Sequence, residues 1–126
     1  MTAHLLFEAL DAARPTTLSP TTIGEIIRGE IGYDGLLMSD DLSMKALRGD
    51  FGDLARGAIG AGCDLVLHCN GDMAEMQPVA ANVPDLEGES LRRAERALDV
   101  VRGTPDAADL DALRDEFASL LGTVSA

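Results

Sequence analysis

An apolar run ends in acid at Asp34-Gly35-Leu36-Leu37-Met38-Ser39-Asp40-Asp41-Leu42-Ser43-Met44. The carboxyl end of a parallel strand delivers its side chains to the open mouth of an α/β fold, where chemistry concentrates. An ionised Asp40 placed there can act as nucleophile, general base, metal ligand or acceptor for a sugar hydroxyl. Ser39, Asp40 and Asp41 can equally cap a short turn over Leu42-Ser43-Met44-Lys45-Ala46-Leu47, because their side-chain oxygens accept from free amide groups at a helix start. Spacing leaves both uses open, and one residue of the pair can serve each.

The other candidates are more ordinary. His4 stands near the end of the first apolar segment and can face the same mouth, although a lone histidine is more often structural. His68 sits inside an apolar run and reads as packed or turned to an outer face. Asn70 ends that run, either within reach of a ligand or as a turn residue. Asp11 and Arg14 lie in a long loop where plain solvation is the simpler reading. Asp40, Asp41 and His4 lack a recognisable ligand spacing, so no metal is expected. Gly60-Ala61-Gly62-Cys63 precedes an apolar run instead of following one, which is the wrong order for a phosphate loop. No Ser/His/Asp or Cys/His set is legible, and no cofactor is expected.

The elements that must position these residues alternate in type. Met1 to Phe7 is predicted as a strand and Glu8 to Leu18 as a loop broken at Arg14-Pro15. Ser19 is the expected N-cap, with Pro20 at the first helical position. Ile23, Ile26, Ile27 and Ile31 recur at helical spacing, and Gly32 closes the helix. Gly35 to Ser39 reads as a continuously apolar parallel strand. Phe51 to Gly62 reads as a helix of small residues and Asp64 to Asn70 as a third strand. Helices are expected over Met73 to Asn82 (weakened by Pro78), Leu86 to Arg102 and Ala107 to Leu121. Strands alternating with helices imply parallel pairing. Three strands are few, and they leave two sheet edges to protect.

Composition narrows the class. A chain of 126 residues with 46% apolar content can bury a core. Trp is absent and only three Phe and one Tyr occur, so Leu, Ile, Val and Ala must build that core. A net charge of −12 repels phosphate backbones and anionic lipid, which argues against nucleic-acid and membrane partners. Cys63 and Cys69 lie in apolar context and are expected as free thiols in a reducing, cytoplasmic compartment. No leader or membrane-spanning run is expected.

The order Met1-Thr2-Ala3-His4, Leu18-Ser19-Pro20, Gly32-Tyr33-Asp34-Gly35, Ser39-Asp40-Asp41-Leu42-Ser43-Met44, Ala61-Gly62-Cys63-Asp64-Leu65 and Cys69-Asn70 resembles the C-terminal part of bacterial β-N-acetylhexosaminidases of glycoside hydrolase family 3, the peptidoglycan-recycling type. The resemblance implies an α/β fold: the C-terminal portion of a (β/α)8 barrel, with three parallel strands as the sixth to eighth, incomplete on its own. Residues 1–84 would form the partial barrel and 85–126 a helical segment packing on it. It implies that Asp40 matches the nucleophile of a retaining enzyme. Asp41, His4, Met44 and Asn70 would line a site for an N-acetylglucosamine-containing saccharide. The acid/base His segment of the family, of the Lys-His-Phe-Pro-Gly-His-Gly type, has no counterpart here. The isolated chain is therefore expected to be inert, and either a missing N-terminal half or self-association is expected to complete it.

Overall fold

In the computed structural model, residues 1–103 and 107–124 are described. A 3₁₀ turn (Thr16–Leu18) leads into a π-helix (Thr21–Glu30). Strand β1 (Met38–Asp41), helix α1 (Phe51–Ala61) and strand β2 (Leu65–Leu67) follow, then α2 (Met73–Ala81), α3 (Gly88–Arg102) and α4 (Leu110–Val124). The two strands pair in parallel, so β1, α1 and β2 form one β-α-β unit.

Local chemistry explains the helix ends. The Ser19 hydroxyl accepts from the Thr22 amide at 3.0 Å, the capping role its position predicted. The π-helix ends with Ile31 donating to Ile26 O, and Gly32 turns the chain at φ +69. Asp50 caps α1 by accepting from the Gly52 and Asp53 amides. Gly62 ends α1 at φ +114, where a Cβ would also lie 2.8 Å from Ile23 Cγ2. Only glycine meets both demands.

Two apolar clusters hold these elements. Ile23, Leu37, Ala58, Ala61 and Cys63 form one. Leu42, Leu47, Leu54, Ala55 and Val79 form the other. Leu18 and Val66 touch both, so the sheet, the π-helix, α1 and α2 are packed as one body. The small residues of α1 let it lie close to β2, as its composition predicts.

Three expectations need correction. Met1 to Phe7 is not a strand: of its backbone amides only that of Thr2 bonds to β1, donating to Met38 O at 2.8 Å. Beyond it the segment turns away, and Leu5 O accepts from the Thr16 amide and hydroxyl instead. An edge segment with one ladder bond does not make a strand, so the sheet has two strands and not three. The second strand lies at Met38–Asp41 instead of Gly35–Ser39, which places Ser39, Asp40 and Asp41 inside it. The third is only Leu65–Leu67. The helices after β2 form close to their expected bounds, although residues 104–106 and 125–126 of the expected 85–126 helical segment lie outside the described residues.

Candidate active site

The strand end carries a defect that positions Asp40. Met38 pairs with Leu65, and Asp41 pairs with Leu67. Three steps on β1 thus oppose two on β2, which is a β-bulge. An extra residue locally unpairs the ladder, bends the strand and re-aims its side chains. Ser39 repairs the break. Its fully buried hydroxyl accepts from the Leu67 amide at 2.9 Å and donates to Asp40 O at 2.7 Å. The side chain stands where a backbone carbonyl would have stood. One Asp40 oxygen, Oδ1, accepts from the Asp41 amide at 2.9 Å. Oδ2 has no protein partner among the described residues. Asp40 is half-buried.

Asp41 is used differently. Its Oδ1 accepts from the Ser43 and Cys69 amides and its Oδ2 from the Ser43 hydroxyl, at 3.0, 3.1 and 2.6 Å. Burial pushes this carboxyl up, but the three donors and nearby His68 outweigh it, and the net shift is downward. Asp41 therefore ties the end of β1 to the segment leaving β2. The two adjacent carboxylates are thus held differently: Asp41 is bound at both oxygens, whereas the Asp40 carboxylate accepts, among the described residues, only from the Asp41 amide. The turn after the strand forms with Met44 donating to Asp41 O, and the Met44 side chain is exposed.

His4 joins this cluster through its backbone neighbour. Its Nε2 lies 2.9 Å from Asp41 O and its Nδ1 2.8 Å from the Thr17 hydroxyl. A carbonyl only accepts, so Nε2 carries a proton, while the Thr17 hydroxyl beside Nδ1 donates to Ala3 O at 3.1 Å. Both nitrogens are engaged, and the ring braces the bulge from the N-terminal segment. Asn70 lies on the other side. It accepts from the Asp72 amide at 2.9 Å and donates to Glu75. His68 Nε2 lies 3.0 Å from the same Glu75 oxygen, and the ring meets Phe51 edge-on at 5.4 Å. His68 thus packs on the helical side, as its apolar context predicts. Asp11 is fixed in its loop by the Ala13 and Arg14 amides and by the Ser19 hydroxyl.

The fold brings His4 to the Asp41 carbonyl, with Asp40 and Met44 joined to Asp41 by local hydrogen bonds. Asn70 is tied to that cluster at one remove, through Cys69, whose amide holds Asp41. The residues that sequence reasoning missed are Ser39 as the bulge filler, Thr17 behind His4, and Glu75 between His68 and Asn70. Only the Ser-Asp-Asp run hinted at the first. Thr17 and Glu75 have no signal in the local pattern, because each meets its partner only after the chain has turned back. Among the described residues, no three His, Cys, Asp or Glu side chains gather as a metal site, and no helix is long and apolar enough to cross a membrane.

A β-α-β unit with parallel strands and helices packed on it defines a portion of an α/β domain. Residues 1–102 match the Glycosyl hydrolase family 3 N terminal domain, and the chain belongs to that family. A Beta-hexosaminidase of Alkalilimnicola ehrlichii is 44% identical over 98 residues, covering 76% of this chain and 28% of the relative. One from Aromatoleum aromaticum is 37% identical over 115 residues, covering 90% and 31%. The solved glycoside hydrolase family 3 β-N-acetylglucosaminidase from Paenibacillus aligns with TM-score 0.67 and 29% identity over 86% of this chain and 23% of its own. The chain thus spans about three tenths of the length of the curated relatives it matches.

Proposed function

We propose that this chain carries the nucleophile of a retaining β-N-acetylhexosaminidase acting on terminal N-acetylglucosamine of peptidoglycan fragments. Asp40 is that nucleophile. One of its oxygens attacks the anomeric carbon as the glycosidic bond breaks, giving a glycosyl-enzyme that water then hydrolyses. Family membership and the bulge that leaves Asp40 Oδ2 unpartnered carry this reading. The Asp41 amide fixes the attacking group, and the Asp41 carboxylate, braced by His4 through its own carbonyl, holds the rim. Met44 and Asn70 flank the sugar. Residues 1–84 form the barrel part, and the described residues of 85–126 its helical appendage. Two free thiols, Cys63 and Cys69, support a reducing cytoplasmic setting.

Chemistry on the isolated chain stops short of turnover. The leaving oxygen needs a proton, and general acid catalysis supplies about 10²–10⁴-fold of rate. Neither histidine among the described residues offers a free, exposed nitrogen: both His4 nitrogens are engaged, and His68 faces Glu75 and Phe51 with its Nδ1 buried. The chain alone should therefore leave an alkyl N-acetylglucosaminide intact. A dinitrophenyl N-acetylglucosaminide, whose leaving group needs no proton, tests the nucleophile separately. Slow release that disappears in Asp40→Asn supports it. Release that survives Asp40→Asn rejects it, and steady turnover of the alkyl glycoside rejects the inertness.

A second reading rests on a specific observation. Met1, Leu5, Leu6 and Phe7 are all about half-exposed or more beside the outer edge of β1. An apolar segment next to an open edge is a site for pairing with another chain. A complementing N-terminal half or a second copy would cover it, and light scattering of the purified chain reads the second of these directly.

A further inference from the structure

Away from the Asp40 rim, at the amino ends of the strands, a cleft of about 240 Å³ opens between the sheet and the α2–α3 connection. Cys63, Asp64 and Val66 line one side; Val83, Leu86 and Ser90 line the other. Helix α3 thus forms part of its wall. Of the apolar residues on α3, only Ala94 is buried, whereas Leu98, Val100 and Val101 are 49%, 79% and 75% exposed. Apolar burial is therefore not what holds α3 in place.

Charge holds it. Asp34 accepts from Arg92, Arg93 and Arg96 of α3 at 2.6, 3.2 and 3.2 Å. Asp64, with a side chain only 2% exposed, divides its oxygens between two structures. Its Oδ2 accepts from Arg28 of the π-helix at 2.7 Å and from the Leu37 amide at 2.8 Å. Its Oδ1 accepts only from α3, through the Ser90 hydroxyl at 2.8 Å and Arg93 at 3.0 Å. If α3 leaves, Oδ2 keeps both inner partners and Oδ1 gains water. The core is not left with an uncompensated charge, which is the usual cost of breaking a buried pair. Asp34 and the arginines return to solvent, where each exposed pair is weak and screened by salt.

We propose that α3 is a releasable latch, docked through Asp64 Oδ1 and Asp34, whose release removes one wall of the cleft that Cys63 lines while the β-α-β unit stays folded. It is a local opening of the kind that separates weakly packed segments from a core. Cys63 is its natural reporter. Its thiol is buried, burial pushes its pKa up to about 11, and the other cysteine, Cys69, is exposed and replaceable.

The test uses the chain with Cys69→Ser and a neutral maleimide. The labelling rate of Cys63 is followed at low and at about 1 M salt, where the screening length falls to about 3 Å. The same is done with Ser90→Ala plus Arg93→Gln, which removes the Oδ1 donors and spares Asp64. Exchange of the Asp64 amide, bonded to Leu37 O, and of the Leu42 amide, bonded to Leu67 O, monitors the sheet. The latch predicts at least about tenfold faster labelling under both changes, equal to about 1.4 kcal/mol, with sheet amides still protected. Asp34→Asn should move labelling the same way by less. Labelling indifferent to salt and to the double variant, or faster only where sheet protection is lost as well, would overturn it.

Discussion

The strand-end rim and the α3–α4 region are both rich in charge, yet they are built on opposite principles. At the rim, Asp41 and Ser39 are enclosed by protein donors, and the apolar cluster around Leu42 closes beneath them. Around α3, Asp34, Arg92 and Arg96 are about half in water, and α4 has Leu113 and Phe117 50% and 64% exposed. A polar group enclosed and satisfied fixes one geometry, because any alternative leaves it unpaired in a poor solvent. A polar group at the surface has water as a ready substitute. Precise positioning therefore belongs to the first region and adjustable docking to the second.

The largest expected effect breaks the first region outright. Leu42→Ala removes a side chain that is 1% exposed and should lower unfolding stability by about 2–5 kcal/mol, read as a shift of the urea midpoint. A loss under 1 kcal/mol would mean the rim has no firm floor. Next comes Ser39→Ala, which leaves the Leu67 amide without its acceptor and should cost about 1–3 kcal/mol. Amide exchange at Leu67 should accelerate more than at Leu65. If the two change equally, the serine is not what fills the bulge.

The smallest effect lies in the second region and depends on pH. The Arg92 and Arg93 guanidinium groups hold the Asp34 carboxyl down from 3.8 to about 2. A carboxyl lowered by folding contributes stability that is present above its ordinary value and fades as pH falls through about 2. Acid should therefore loosen α3 between about pH 4 and 2, and Asp34→Asn should flatten that segment of a helix-protection titration. The urea midpoint at neutral pH should barely move in that variant, since exposed pairs contribute little. A large shift there would erase the contrast between the two regions.

Much of the helical content was legible along the chain. Ser19, read as a cap, has its side chain on a helix amide, and Asp50 and Asp72, which are not predicted as caps, do the same. Gly32 and Gly62 close helices at positive φ. Such signals are legible because a cap interacts with residues only two or three positions away. The strands were less legible. Continuous apolarity from Gly35 predicted a strand that begins three residues early, because pairing starts only where β2 offers a partner at Leu65. Met1 to Phe7 has strand composition but one ladder bond, and composition does not supply a neighbour.

The candidate site divides along the same line. That Asp40 is a candidate follows from an apolar run ending in Ser-Asp-Asp. Which aspartate is free and which is tied down did not follow. Two adjacent carboxylates are chemically identical in a string of letters. They part only when Cys69 brings its amide to Asp41 from 28 residues away and Ser39 takes the Leu67 amide. The residue types, the caps and the acid at a strand end are properties of the chain itself, because they rest on local bonding. The bulge, the braced rim and the shared oxygens of Asp64 are decided by tertiary structure, because each needs donors that only folding delivers.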